Sequence, residues 1–409
     1  MAEPTRADAQ RLDATDPLSA VVERFALPDK VIYLDGNSLG ALATNVPAAM
    51  DDAVRRQWGT DLIGSWNRNG WWTLPGRVGD RIGRLIGAAP GQVMCGDTTS
   101  VQLFQALVAL ARMRPERGTI VTDAGGFPTD QYLAESAARM LGLRLVRIAP
   151  DAIDTVVDED TAVVALGAVD YRTGELWDSA ALTSLIHDRG ALALWDLAHA
   201  AGVVPFDLDG IGADAAVGCS YKYLNGGPGA PAWIYLPTRH QRAADLPLTG
   251  WHGHASPFEL ADTFTPALGI ERARIGTPPL LSMLALEAAL EVFDDAPPPA
   301  IRAKSLQLTQ LAIDCTDACL PSLEVVTPRA VERRGGQVAL RHPDAYAIVQ
   351  ALIARGVIGD FRAPDVVRLG FAPLYLRHTD VWDAMDTLRD VIETEDYRDP
   401  SYATRNTVT

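Results

Sequence analysis

Lysine is nearly absent from this 409-residue chain: Lys30, Lys222 and Lys304 are the only three among 36 basic residues. Lys222 stands among small, aromatic and apolar residues in CSYKYLNGGPGAPAWIYL, residues 219–236. A buried amine there is a covalent anchor or a base; an unburied one simply lays its stem on apolar neighbours and its head in water. A second candidate closes the apolar run ALALWDLAHA, which carries Asp196 and His199. A carboxylate leaving a buried strand needs partners to stay charged, because desolvating it alone is costly; a turn acceptor or helix cap would meet the same need. The third is GDTTS, residues 96–100, at the head of an amphipathic pattern. Free amides at a helix start, with the hydroxyls of Thr98, Thr99 and Ser100, suit phosphate oxygens and equally suit ordinary N-capping. Together, a lysine, a strand-end carboxylate and an anion-binding turn meet the needs of a pyridoxal phosphate enzyme: a covalent anchor, an acidic partner for the ring nitrogen and a phosphate cradle.

Those three pieces act together only if the fold brings them to one edge. Short apolar runs recur at GTIVTDAGG, LRLVRIAP, AVVALGAVD, ALALWDLAHA and DAAVGCSYKYL, separated by helix-like TDQYLAESAARMLG and WDSAALTSLIHDRG. Strands alternating with helices imply crossovers and an α/β fold with a mainly parallel sheet. In such sheets the ligand lies beyond the carboxyl ends of the strands, so Asp196 and Lys222, at the ends of successive strands, face one rim. A Pro-rich break after EVFDDAPPPA precedes the helical IRAKSLQLTQLAIDCTDACL, and the remainder reads as a smaller α+β domain.

Bulk properties narrow the field. The length exceeds what one core usually fills, which favours two domains. An apolar fraction of 48% and a charged fraction of 22% are those of a globular chain. The net charge of −16 argues against nucleic acid or an anionic membrane as partner. No span is apolar enough to cross a bilayer, and the first twenty residues lack the apolar centre of a secretion signal, so a cytoplasmic location is expected. Four cysteines, Cys95, Cys219, Cys315 and Cys319, form neither a disulfide framework nor a zinc pattern, and no metal is expected.

The ordered series YLDGNSLG (33–40), GDTTS (96–100), FPTDQY (127–132), DLAHAAGVVPFDL (196–208), CSYKYLNGGPG (219–229) and GWHGH (250–254) resembles the bacterial kynureninases, in the aspartate aminotransferase-like superfamily, over almost the whole chain. The resemblance implies the fold type I architecture of pyridoxal phosphate enzymes. Its large domain has a mainly parallel seven-stranded sheet and spans residues 61–295; an N-terminal segment, 1–60, joins the small domain and the site mouth, and 296–409 form the small domain. It also implies roles. Lys222 carries the cofactor and moves the substrate's α proton, Asp196 pairs with the ring nitrogen, and Phe127 stacks on the ring. Asp130 and His199 contact the cofactor, while Thr98, Thr99 and Tyr221 hold its phosphate. Trp251 and Thr277 reach the phosphate across a homodimer interface.

Arg368, in VVRLGFAPLY, resembles the guanidinium that takes the amino acid carboxylate, for which a planar donor fork is well shaped. Asn37 and Ser38 fall at the site mouth. Trp66, in SWNRNGWW, matches an aromatic-end position of enzymes preferring L-kynurenine over its 3-hydroxy derivative, and Gly276-Thr277 replaces a more polar Ser-Asn pair. The implied reaction is hydrolysis of L-kynurenine to anthranilate and L-alanine in tryptophan degradation, with Tyr221 protonating Cβ. Three other readings share parts of this machinery. A cysteine desulfurase needs a mobile thiol, and the cysteines beyond Lys222, Cys315 and Cys319, lie in or beside a helix. An aminotransferase would not need the whole motif series, and a non-catalytic regulator would not need both Lys222 and Arg368.

Overall fold

The computed structural model describes residues 3–405. Its centre is a seven-stranded sheet made of β1 (Val93–Cys95), β2 (Thr119–Asp123), β3 (Arg144–Ile148), β4 (Thr161–Gly167), β5 (Leu192–Asp196), β6 (Ala215–Gly218) and β7 (Trp233–Tyr235). The spatial order is β1-β7-β6-β5-β4-β2-β3. Only β7 runs against its neighbours, β1 and β6; the other pairings are parallel. The apolar runs of the sequence are continuous because both faces of the sheet are covered. In β5, Ala193 and Trp195 enter one buried cluster and Leu192 and Leu194 the other, as the two-residue side-chain period requires. Each such large side chain contributes about 1.5–3 kcal/mol when fully buried. Crossover helices Thr99–Arg112, Pro128–Leu141 and Ser179–Asp188 supply the cover.

A second sheet joins β8 (Glu324–Val325), β9 (Gln337–Arg341), β10 (Asp360–Arg362) and β11 (Val366–Gly370) in the order β8-β9-β11-β10, antiparallel throughout. Helices Pro298–Cys319, Ala345–Ala354 and His378–Thr394 accompany it. The β10–β11 hairpin sets Asp360 directly across from Arg368. The chain start is tied to this unit rather than to the large sheet. Ile32–Tyr33 pairs in parallel with Val357–Ile358, Arg6 bonds Asp383 at 2.7 Å, and Asp13 accepts from the His378 amide at 2.6 Å. Lys304, one of the three lysines, is buried in an ion pair with Asp16 at 2.6 Å, which leaves Lys222 as the lysine of interest. Among the described residues, no helix is long and apolar enough to cross a membrane.

Candidate active site

Strand register brings the sequence candidates to one rim. Cys95 lies opposite Trp233 and Trp233 opposite Gly218, while Val217 pairs with Asp196 and Asp196 with Gly167. The carboxyl ends of β1, β4, β5 and β6 are therefore level, and the GDTTS turn, Asp196 and Lys222 all follow them. Lys222 Nζ lies 2.9 Å from His199 Nε2, 6.0 Å from the Phe127 ring centroid and 5.8 Å from that of Tyr221. An ammonium beside an imidazole nitrogen donates to it, so His199 acts as the acceptor here. Burial first, then the charge of Lys222, holds its pKa well below the ordinary value.

Asp196 accepts from the Ala198 amide at 2.8 Å and shares a proton with Asp130, from the first turn of Pro128–Leu141. Burial raises both carboxyls, and the charge of Asp196 pushes Asp130 further up. Two like charges so close cannot both ionise. The pair is thus one anion and one acid, suited to an incoming cationic N–H. Phe127, just before the same helix, is 45% exposed and free to cover a flat ring. Thr98 caps Thr99–Arg112, accepting from Val101 N at 3.4 Å, and both threonines stand at an accessible helix start. Acid pair, amine, open aromatic face and anion-binding turn fit pyridoxal phosphate.

Tyr221 is half-buried with its hydroxyl against the Cys219 thiol; burial, then Cys219, pushes its pKa up, so it stays protonated. Arg368 is 0% exposed and already engaged. Its Nε and Nη2 grip Asp360, Nε at 2.7 Å; Nη2 also donates to Ser38 Oγ at 3.0 Å and Nη1 to the Tyr171 carbonyl at 2.5 Å. Asn37, turned so that its amide oxygen faces the guanidinium, accepts from Arg368 Nε at 2.9 Å. The donor fork expected to be free for a carboxylate is closed by Asp360, leaving part of Nη1. Asn37, fully buried, and Ser38 both bond Arg368 and support it.

Trp66 and Trp251 form a separate group around His252. Trp66 meets His252 edge-on with centroids 6.0 Å apart, Trp251 meets it at 4.8 Å, and Trp72 meets it at 4.4 Å. Gly250 and His252 pack on the Ile275 carbonyl, one residue before Gly276-Thr277. Among the described residues, no hydrogen bond or ring contact joins this cluster to Lys222. Sequence reasoning missed His252, Arg274, Asp360 and Arg362. His252 Nε2 accepts from Arg274 at 3.1 Å, and burial, then Arg274, lowers its pKa to about 4. For Asp360, the signal was there: GDFRAPDVVR reads as strand, Pro turn, strand, which sets Asp360 across from Arg368.

The same architecture occurs in solved structures. A cysteine desulfurase from Thermococcus onnurineus NA1 matches with a TM-score of 0.79 at 18% identity, over 92% of this chain and 98% of its own. The cystine C-S lyase C-DES matches at 0.78 and 15%, over 88% and 98%. Fold and site together define a pyridoxal phosphate-dependent enzyme of fold type I. A model described as the kynureninase C-terminal domain matches residues 301–388, and kynureninases of Burkholderia pseudomallei strain 1106a and Pseudomonas fluorescens are 49% and 45% identical over 99% of this chain and 100% of each relative. The chain belongs to the kynureninase family, and its reaction is the hydrolysis of L-kynurenine to anthranilate and L-alanine. Cys315 is buried within Pro298–Cys319 and Cys319 ends that helix, so neither is the mobile thiol of a desulfurase.

Proposed function

We propose that Lys222 is the covalent anchor and the base of this hydrolysis, acting at a site completed by a second copy of the chain. The observation that carries the reading is Lys222 Nζ on the strand rim, 2.9 Å from His199 and beside the Asp130–Asp196 acid pair. Asp196 takes the ring nitrogen, Phe127 covers the ring, and Thr98 and Thr99 with Tyr221 receive the phosphate. Bound pyridoxal phosphate supplies an electron sink that makes the Cα proton acidic and lets Cβ leave with the bonding pair. Lys222, displaced from its own bond, takes that proton. Water adds to the side-chain ketone at Cγ, the Cβ–Cγ bond breaks to release anthranilate, and the protonated Tyr221 hydroxyl delivers a proton to Cβ, leaving alanine.

The dimer is supported by apolar side chains that one chain leaves in water. Trp251 is 41% exposed and Phe258 77%, meeting edge-on beside Trp72, and Trp58, Leu62, Ile63, Leu260 and Leu268 are exposed as well. Such surface is characteristic of an interface. With two-fold symmetry, Trp251 and Thr277 of one chain reach the other chain's phosphate. The N-terminal segment and the C-terminal unit close the site mouth as one body.

L-Kynurenine is the preferred substrate over 3-hydroxykynurenine. In the aromatic cluster, His252 has both ring nitrogens engaged, Nε2 by Arg274 and the other by the Gly276 backbone, and Trp66 offers no acceptor. A pocket that cannot bond the extra hydroxyl leaves it desolvated, at a cost of about 1–3 kcal/mol. Measuring kcat/KM for both substrates tests this. A higher value for L-kynurenine is expected; equal values or the reverse order would overturn it.

A further inference from the structure

Cys315 and Cys319, which the hydrolysis does not use, stand one turn apart on Pro298–Cys319, and both line a cavity of about 20 Å³ where that helix meets His378–Thr394. Residues four apart on a helix lie one above the other, with Cβ atoms about 5–6 Å apart. A disulfide needs about 3.5–4.5 Å, and both thiols are free. An atom interposed between the two sulfurs spans the gap that a direct bond does not. Met385, Trp382, Pro4 and Arg389 wall the rest of the cavity. Met385 is buried, Trp382 Nε1 donates to the Pro4 carbonyl at 3.0 Å, and Arg389 Nη1 pairs with Glu3 at 3.0 Å, so the chain start closes one side.

Burial, then Cys319, pushes the Cys315 pKa up to about 12; burial, then Glu3, raises that of Cys319. Thiols held protonated are poor nucleophiles and poor targets for oxidation, which sets aside a redox pair. Among the described residues, no third histidine, cysteine or carboxylate completes a metal set with them, which sets aside tetrahedral zinc. Two sulfurs side by side, next to the Met385 thioether, select a soft centre over a hard one. A cuprous ion would have to drive both thiol protons into water against their raised pKa values. A centre that arrives carrying hydroxide removes those protons as water instead. We propose that Cys315 and Cys319 form a chelating site for trivalent arsenic, taken up as arsenite. One As(OH)3 and two thiols give (Cys–S)2As–OH and two waters. Two As–O bonds break, two As–S bonds form, each thiol proton leaves with a hydroxide, and no atom changes oxidation state.

The test incubates holoenzyme with arsenite alone and reads adducts by intact mass and on the tryptic peptide 305–329, which carries both thiols and neither Cys95 nor Cys219. One arsenic per chain on that peptide is expected, removed by an added small dithiol. Cys315→Ala and Cys319→Ala should each weaken binding about 100-fold or more, because a single thiol forfeits the chelate advantage. Cys319 ends its helix and is only partly buried, so Cys319→Ala decides the matter by itself if Cys315→Ala does not fold. No adduct on the holoenzyme, arsenic found on Cys95 or Cys219 instead, or undiminished binding by Cys319→Ala would overturn the assignment.

Discussion

Lys222 keeps company with one imidazole that burial holds neutral and two carboxyls that share a proton. That company makes sense of the roles assigned to it, since a ring cation beside Asp196 would settle which carboxyl is ionised. Asp196→Asn keeps the shape and removes the anion. Its melting temperature should stay near wild type, while kcat falls about 10- to 100-fold, the range expected for losing a charge-assisted hydrogen bond. An undiminished kcat would remove Asp196 from the electron sink. At this scale the sequence was legible wherever one residue's type stands out against its surroundings. Lys222 did so because lysine is rare, and Asp196 because it ends an apolar strand. Arg368 stood out by its place before FAPLY, but its burial against Asp360 emerges only from the fold.

Among elements, the β10–β11 hairpin sets two guanidiniums on one buried carboxylate. Asp360→Ala leaves two half-buried or buried guanidiniums without their shared partner, and breaking a buried pair in this way costs about 3–5 kcal/mol. A marked drop in melting temperature is expected, with Asp360→Asn intermediate; equal stability of all three proteins would mean that the hairpin is held otherwise. Asp35 adds a pH dependence with a definite sign. Its folded pKa of about 7 lies above the unfolded carboxylate value of about 3.9, so folding favours its protonated form. That contribution is complete below about pH 4 and is lost as pH rises through about 7. Asp35→Asn cannot lose a proton there, so its melting temperature should fall less than that of wild type between about pH 5 and 8. Parallel curves would contradict the assignment.

Elements were legible where burial is two-sided. The runs that became β2, β4, β5 and β6 are apolar without interruption because helices cover both faces of the sheet. β1 and β7 are three residues each, too short to show a period, and β7 sits inside a Gly- and Pro-rich stretch, so its antiparallel direction emerges only from pairing. The His252–Arg274 bond joins the short 3-10 turn Trp251–Gly253 to the end of the 3-10 turn Gly269–Ala273, both too short for a periodicity to read.

At the scale of the whole molecule, the proposed dimer would make the Lys222 rim and the Trp66–Trp251 cluster two halves of one site. Mixed dimers give the decisive comparison: Lys222→Ala on one chain and Trp251→Ala on the other should restore one complete site, about half of wild-type activity per dimer if the sites are independent. Verified mixed dimers without activity would place Trp251 outside the shared site. The central claim is that this chain cleaves kynurenine hydrolytically through Lys222. It is tested most directly by incubating purified enzyme, reconstituted with pyridoxal phosphate, with L-kynurenine and quantifying products. Anthranilate and alanine in equal amounts from wild type, no turnover from Lys222→Ala, and borohydride fixing the cofactor on the Lys222 peptide are the expected result. A keto acid in place of alanine, or the cofactor fixed at Lys30 or Lys304, would contradict the account.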